Sequence, residues 1–334
     1  MLQKPDLPDA ALVVALRAAY GLQAAEVTFL PLGFDRDTAV YRVVATDGRA
    51  YFLKLRSGRF DGTGVAVPRL LHERGLAHVI PPLPTRDGHL WTRLRRFAVV
   101  LFPFVAGHDA YAVPLGTDQW LALGAALAGV HATRLPEALA RRVPTDRFGP
   151  RWRARLRRFQ ARVAHEAFDE PAAAGMADLL RAERARIDRL TDRHGQLAAA
   201  LRARQPARVL CHGDVHYRNV LVDDADGTLY LVDWDTLVFA PPERDFEFIG
   251  GRWGGEHEVE LMRRGYGGRA ADPTALAYYR YNRIVEDLAV LSEDLLDTPG
   301  GGANRAQNLA AARIVFAPGG PLELAQQGDC APAG

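Results

Sequence analysis

Lysine is nearly missing from this chain. Lys and Arg together number 42 in 334 residues, and Lys4 and Lys54 are the only lysines, which leaves 40 arginines. Cysteine is as scarce. Cys211 and Cys330 are too few for a disulfide framework or a cysteine zinc site, so a reducing, cytoplasmic setting is expected. An excess of one charge is lacking too: 42 basic against 40 acidic residues give +2, so no strong field argues for nucleic acid or a membrane surface. No run approaches the ~18 uncharged apolar residues of a membrane-crossing helix. Met1 to Asp9 include Lys4 but no apolar stretch of a secretory signal, and none is expected. What is present, 48% hydrophobic and 25% charged residues, is the make-up of a folded chain with a sizeable core.

Against that background Lys54 stands out. It sits inside the apolar run Tyr51-Phe-Leu-Lys-Leu55. A lysine kept there suits a task guanidinium does poorly, such as offering a compact charge to a phosphate. The plain alternative is a chance survivor whose stem lies on a sheet.

The pattern along the chain changes near residue 107. Residues 9–20 read as a helix with Asp9 as N-cap and Gly21 beyond its end. Strands are expected at 26–31, 38–45 and 50–56, the last two joined by the hairpin signal Asp47-Gly48, then at 89–93 and 97–105. A helix over 65–74 tolerates Pro68 only in its first turn. Beyond Gly107 helical segments dominate: 117–132 with Thr117 as cap, 148–168, 175–204, 256–265, and 273–297 capped by Asp272-Pro273. Short strands return at 208–211, 219–222 and 229–233, and the tail from Pro318 reads as loop. Nine arginines crowd 141–162, but few aromatics accompany them and acids follow at once, so a solvated helix face is favoured over a nucleic-acid site.

Chemistry concentrates in Leu210-Cys-His-Gly-Asp-Val-His-Tyr-Arg-Asn-Val-Leu-Val222 and Leu229-Tyr-Leu-Val-Asp-Trp-Asp235. Asp214 and Asn219 are five apart in a loop that enters a strand, and Asp233 ends the next strand. An amide oxygen and carboxylates are hard ligands that suit Mg²⁺, which keeps water and substrate phosphates in its shell. A catalytic-loop Asp, an Asn five residues on and a metal-binding Asp beyond form the phosphoryl-transfer pattern.

These motifs, with the Lys54 strand upstream, resemble the aminoglycoside phosphotransferase and choline kinase group. The likeness to the spectinomycin phosphotransferases extends to Leu32-Gly-Phe-Asp-Arg-Asp-Thr-Ala-Val-Tyr41, Leu70-Leu-His72, Pro103-Phe104, Pro242-Glu-Arg-Asp245, Phe248-Ile-Gly-Gly251, Tyr278-Tyr-Arg280 and Arg283-Ile-Val-Glu-Asp-Leu-Ala-Val290. The resemblance implies an α+β, bilobal protein-kinase-like fold: a small antiparallel β-rich N-lobe over 1–101, a hinge at 102–106, and a larger mainly helical C-lobe over 107–334. It implies ATP and Mg²⁺ as cofactors. Asp214 orients the acceptor hydroxyl, Asn219 and Asp233 hold the metal, and Lys54 contacts the phosphates. His216 is either a transition-state contact or a loop hydrogen-bonding residue. Pro103 C=O and Val105 N–H take the adenine edge, and the turn bearing Gly33 and Asp37 covers the phosphates. Kinases of this fold pair the strand lysine with a Glu on the next helix; here Gly62 stands at that place, with Asp61 and Glu73 as candidates. An aminocyclitol is cationic, so an acidic pocket is expected, with Glu286, Asp287 and Tyr279 as its contacts. The implied activity is phosphorylation of an aminocyclitol antibiotic, foremost spectinomycin, by a monomer or weak dimer that confers resistance. The alternatives are a kinase of choline, homoserine or a hygromycin-like amino-sugar, and a nucleotide-binding pseudokinase scaffold.

Overall fold

The computed structural model describes residues 4–32, 37–250, 253–298 and 304–330. In chain order its elements are α1 (Asp9–Tyr20), β1 (Ala24–Leu30), β2 (Thr38–Ala45), β3 (Ala50–Arg56), α2 (Thr63–Glu73), β4 (Thr92–Leu94), β5 (Phe97–Pro103), β6 (Gly107–Asp109), α3 (Thr117–Ala132), α4 (Glu137–Ala140), α5 (Arg151–Val163), α6 (Pro171–Ala182), α7 (Arg184–Arg204), β7 (Val209–Cys211), β8 (Val220–Asp223), β9 (Leu229–Leu231), β10 (Val238–Ala240), α8 (Glu256–Gly265), α9 (Pro273–Asp297), α10 (Arg305–Ile314) and α11 (Pro321–Cys330). They form two compact units.

The first unit takes the described residues of Met1–Pro144, His216–Leu237 and Arg264–Gly267. Its main sheet is antiparallel, in the order β1-β2-β3-β5-β4. Alternation decides which side chains face the core. Tyr41, Val43, Leu53, Leu55, Val99 and Leu101 pack with Leu12 and Leu16 of α1, one helical turn apart. Lys54 lies between Leu53 and Leu55 and therefore projects from the opposite face, paired in register with Val40 and Val100. Gly21 ends α1 in the left-handed region, with its N–H bonded to Arg17. Pro8, not Asp9, is the N-cap of α1, and Asp9 sits in its first turn. Helix α2 starts earlier than expected, so Pro68 falls in the second turn and leaves the Gly64 carbonyl without its helical donor. The cap of α3 is Gly116, whose N–H donates to the Gln119 side chain at 2.8 Å. A second sheet, β6-β8-β9, carries the turn that ends in Asp233.

The second unit takes the described residues of Thr145–Val215, Val238–Arg263 and Gly268–Gly334. Its core joins α5, α6, α7, α9, α10 and α11 around Phe148, Phe159, Met176, Ile187, Val285 and Leu288. Helix α9 is its central rod. Pro273 occupies the first turn, and Asp272 accepts the N–H groups of Thr274 and Ala275. The two-stranded β7-β10 pair delivers His212, Gly213 and Asp214 just past Cys211. The tail beyond Pro318 is not loop: α11 buries Leu322 and Ala325 in the core. Sequence composition hides this helix, because its few apolar residues have a purpose only once α9 is beside them.

Candidate active site

In the first unit, Lys54 Nζ lies 2.7 Å from Asp233 Oδ1 and 2.8 Å from Asp235 Oδ2. Burial works to lower the lysine pKa, but the two carboxylates outweigh it and the net shift is upward, so the ammonium is firmly charged. Asp61 instead accepts the Thr63 N–H, and Glu73 pairs with Arg69. Neither acid of the α2 region holds Lys54. Asp235 does that work, and Gly64 makes it possible. A Cβ on Gly64 would stand 2.9 Å from Asp235 Oδ1 and 3.0 Å from the Trp234 carbonyl, so only glycine lets the first turn of α2 close on this acid. Arg56 reinforces Asp235 at 3.4 Å.

Asn219 is buried and its carbonyl accepts the Val232 N–H at 3.0 Å, which ties the amide-bearing residue to the strand end that presents Asp233. Asp233 takes a left-handed backbone, φ +67 and ψ +68, uncommon for a residue with a side chain. Trp234, buried, locks the turn by donating Nε1–H to the Leu231 carbonyl.

In the second unit, the fully buried Asp245 accepts the N–H groups of His212 at 2.9 Å and Gly213 at 2.7 Å. Gly213 has φ +85, a conformation that glycine adopts without strain. Asp214 follows at once. Its Oδ1 accepts from Arg283 at 2.8 Å, and Arg283 Nε reaches Asp287 Oδ1 at 2.9 Å. Glu247 and Glu286 complete the cluster. Burial pushes the Glu247 carboxyl up to about 8 against the pull of Arg244 and Arg283, although Arg244 donates to it at 2.9 Å. Glu286 is raised as well, by burial first, and the same two arginines oppose the shift.

A model of the phosphotransferase enzyme family matches residues 27–280, which is most of the chain. The chain belongs to that family. Among solved structures, it is similar to spectinomycin phosphotransferase APH(9)-Ia in complex with ADP and spectinomycin: 31% identity, TM-score 0.89, 98% of this chain and 99% of that one. Amicoumacin kinase bound to AMP-PNP shares the fold at 15% identity and TM-score 0.62, over 92% of this chain and 93% of that one. Protein StrN of Streptomyces griseus is 35% identical over 202 residues, 57% of this chain; the match spans 59% of that relative's length. The protein is thus a small-molecule phosphotransferase with the kinase-like fold. Among the described residues, no helix is long and apolar enough to cross a membrane.

For this phosphotransferase the residues singled out from sequence fall as follows. Lys54 and Asp233 meet in the first unit, and Asn219 is tied to the same turn. Asp214 and Asp287 are bridged by Arg283 in the second, beside Glu286. Pro103 ends β5 opposite Tyr51, and Val105 follows it, half-buried. His216 turns its ring to the backbone, where Nδ1 accepts the Arg218 N–H at 3.1 Å. Asp37 ties to Ser57, its carbonyl taking the N–H and its carboxylate the hydroxyl. Gly33 lies outside the described residues. Tyr279 is a correction. It is 1% exposed and its hydroxyl donates to Asp146 at 3.0 Å, so it belongs to the core rather than to an acceptor surface. Sequence reasoning read no role into Arg283, Arg244 or Glu247. The i,i+4 spacing of Arg283 and Asp287 was a visible signal of one pair. Nothing local signals the second pair, to an acid 69 positions away.

Proposed function

We propose that this phosphotransferase moves the γ-phosphoryl group of ATP to a hydroxyl of a cationic aminocyclitol, with spectinomycin the first acceptor to test. The observation that carries the reading is the likeness to a spectinomycin phosphotransferase over 98% of the chain. The part-exposed carboxylate of Asp287, joined to Asp214 through Arg283, supports it by offering an ammonium group a partner.

In this reading Lys54 neutralises the nucleotide phosphates, and Asp233 and Asp235 keep its side chain extended toward them until nucleotide arrives. Pro103 C=O and Val105 N–H take the adenine edge, and Asp37 lies near the phosphates. The Asn219 amide and the Asp233 carboxylate are hard oxygen donors of the kind Mg²⁺ takes, and the described donor set fits that ion. When bound, Mg²⁺ supplies charge neutralisation at the phosphate oxygens. Asp214 aligns the acceptor hydroxyl and accepts its proton as the oxygen–phosphorus bond forms and the bond to ADP breaks. Asp287 and Glu286 hold the acceptor's ammonium groups. The product carries about −1.5 to −2 of added charge at neutral pH, which offsets the positive charge that draws such a compound to RNA phosphates. The enzyme would act in the cytoplasm, as a monomer or weak dimer, and confer resistance.

Incubating the protein with Mg-ATP and spectinomycin is expected to give a product heavier by one phosphoryl group. Turnover of choline or homoserine with none of spectinomycin moves the assignment to a neighbouring subgroup. Asp214→Ala is expected to abolish transfer while ATP binding persists, and persistence of a resistance phenotype in that variant would favour a scaffold.

A further inference from the structure

Asp214 is fixed from two directions. The backbone before it is pinned by Asp245, which binds the N–H groups of His212 and Gly213. Its side chain is engaged by Arg283, and that arginine has a setting built for a single orientation. Arg283 Nη1 donates to Asp214 Oδ1 at 2.8 Å, while Nε faces both oxygens of Asp287, at 2.9 Å and 3.1 Å. Its guanidinium lies 5.0 Å above the Phe248 ring. Its neighbours on α9, Ile284 and Val285, are buried in the core, so the backbone that carries Arg283 does not drift. A planar fork held this way loses little freedom when it binds a carboxylate.

We propose that Arg283 is the positioning residue for Asp214, and that it couples the orientation of this acid to the occupancy of Asp287. The inference rests on the assignment of Asp214 as the group that aligns the acceptor hydroxyl. Other charges around the cluster have separate duties. Arg244 pairs with Glu247 and lies over the Tyr279 ring. Glu286 accepts from the Asn282 side chain. Arg283 bridges Asp214 and an acid on α9. An ammonium that binds Asp287 competes with the Nε contact, so acceptor binding is felt at Asp214 through one shared guanidinium. Asp287→Asn should then lower kcat as well as raise the acceptor KM, because it loosens the arginine, and its effect should not add to that of an Arg283 variant.

The test compares wild type, Arg283→Gln, Arg283→Lys and Asp214→Asn. Carbon-13 carboxylate NMR follows the titration of Asp214, with the signal assigned by Asp214→Asn. Turnover is read as ATP consumption, with spectinomycin and with water as acceptor. Loss of the adjacent cation should raise the Asp214 titration midpoint by at least about one pH unit in Arg283→Gln. It should cut kcat by about 10²-fold with little change in the KM for ATP. Arg283→Lys keeps the charge but cannot serve both acids, so its midpoint stays near wild type while kcat falls between the two. If Arg283→Gln does not fold, the split between midpoint and kcat in Arg283→Lys decides alone. A folded Arg283→Gln with the wild-type midpoint and kcat within about two-fold would overturn the inference. Full activity in Asp214→Asn would instead overturn the assignment beneath it.

Discussion

Lys54 is held by two carboxylates from one short turn, Asp233 and Asp235, and the approach of that turn to α2 depends on a missing side chain at Gly64. On the proposed role of Lys54 at the nucleotide phosphates, removing the ammonium leaves their charge uncompensated, so Lys54→Ala should lower kcat/KM for ATP by about 10²–10³-fold in steady-state assays. Gly64→Ala should raise the KM for ATP with a smaller effect on kcat, because Asp235 must move before Lys54 can be held; an unchanged KM would refute that dependence. The lysine was legible from sequence because so few lysines remain in the chain. Its partners were not. Acids stand at several plausible positions, and which one reaches Nζ depends on how closely the helix and turn backbones pack.

At the level of elements, α9 carries both the core of the second unit and two acids of its cluster, Glu286 and Asp287. Its bounds, Pro273–Asp297, agree with the sequence because the start is set locally: Asp272 supplies the cap and Pro273 the first turn. Asp272 also pairs with Arg204, and its own N–H donates to the buried Glu243 carboxylate at 2.8 Å. Asp272→Ala should cost about 1 kcal/mol and lower the melting temperature by about 2–4 °C in a thermal melt. A loss confined to the noise of the melt would mean that packing alone holds the helix end. Helix α11 and strand β10 had no such local mark. Their residues are ordinary for loops until α9 and β7 offer a surface and a ladder.

For the whole molecule, the buried acid Glu247 links stability to pH. The folded chain holds its proton up to about 8, whereas the unfolded chain releases it near the ordinary glutamate value of about 4.3. Below that lower value both states are protonated and the group contributes no slope. Across the window between them the folded state binds more protons, so stability declines as pH rises. Glu247→Gln has no proton to lose. Thermal melts at acidic, neutral and mildly alkaline pH should show the variant gaining on wild type as pH increases, with the smallest difference at the acid end. A constant difference would place the Glu247 titration outside this range. By contrast, the many arginine pairs on exposed helix faces, such as Arg157–Asp192, should leave the melting temperature nearly indifferent to added salt.

Sequence alone carried the elements of the first hundred residues, helices α3, α8 and α9, the Lys54 strand, the spacing of Asp214, Asn219 and Asp233, and the family, because each of these is written in residues near one another or in a motif of set spacing. Tertiary structure decided which acids hold Lys54, that Arg283 bridges Asp214 and Asp287, that Tyr279 is core, and that Glu247 sits out of water. Those outcomes depend on distances between segments far apart in the chain and on the loss of solvent around them, and neither quantity exists until the chain has folded.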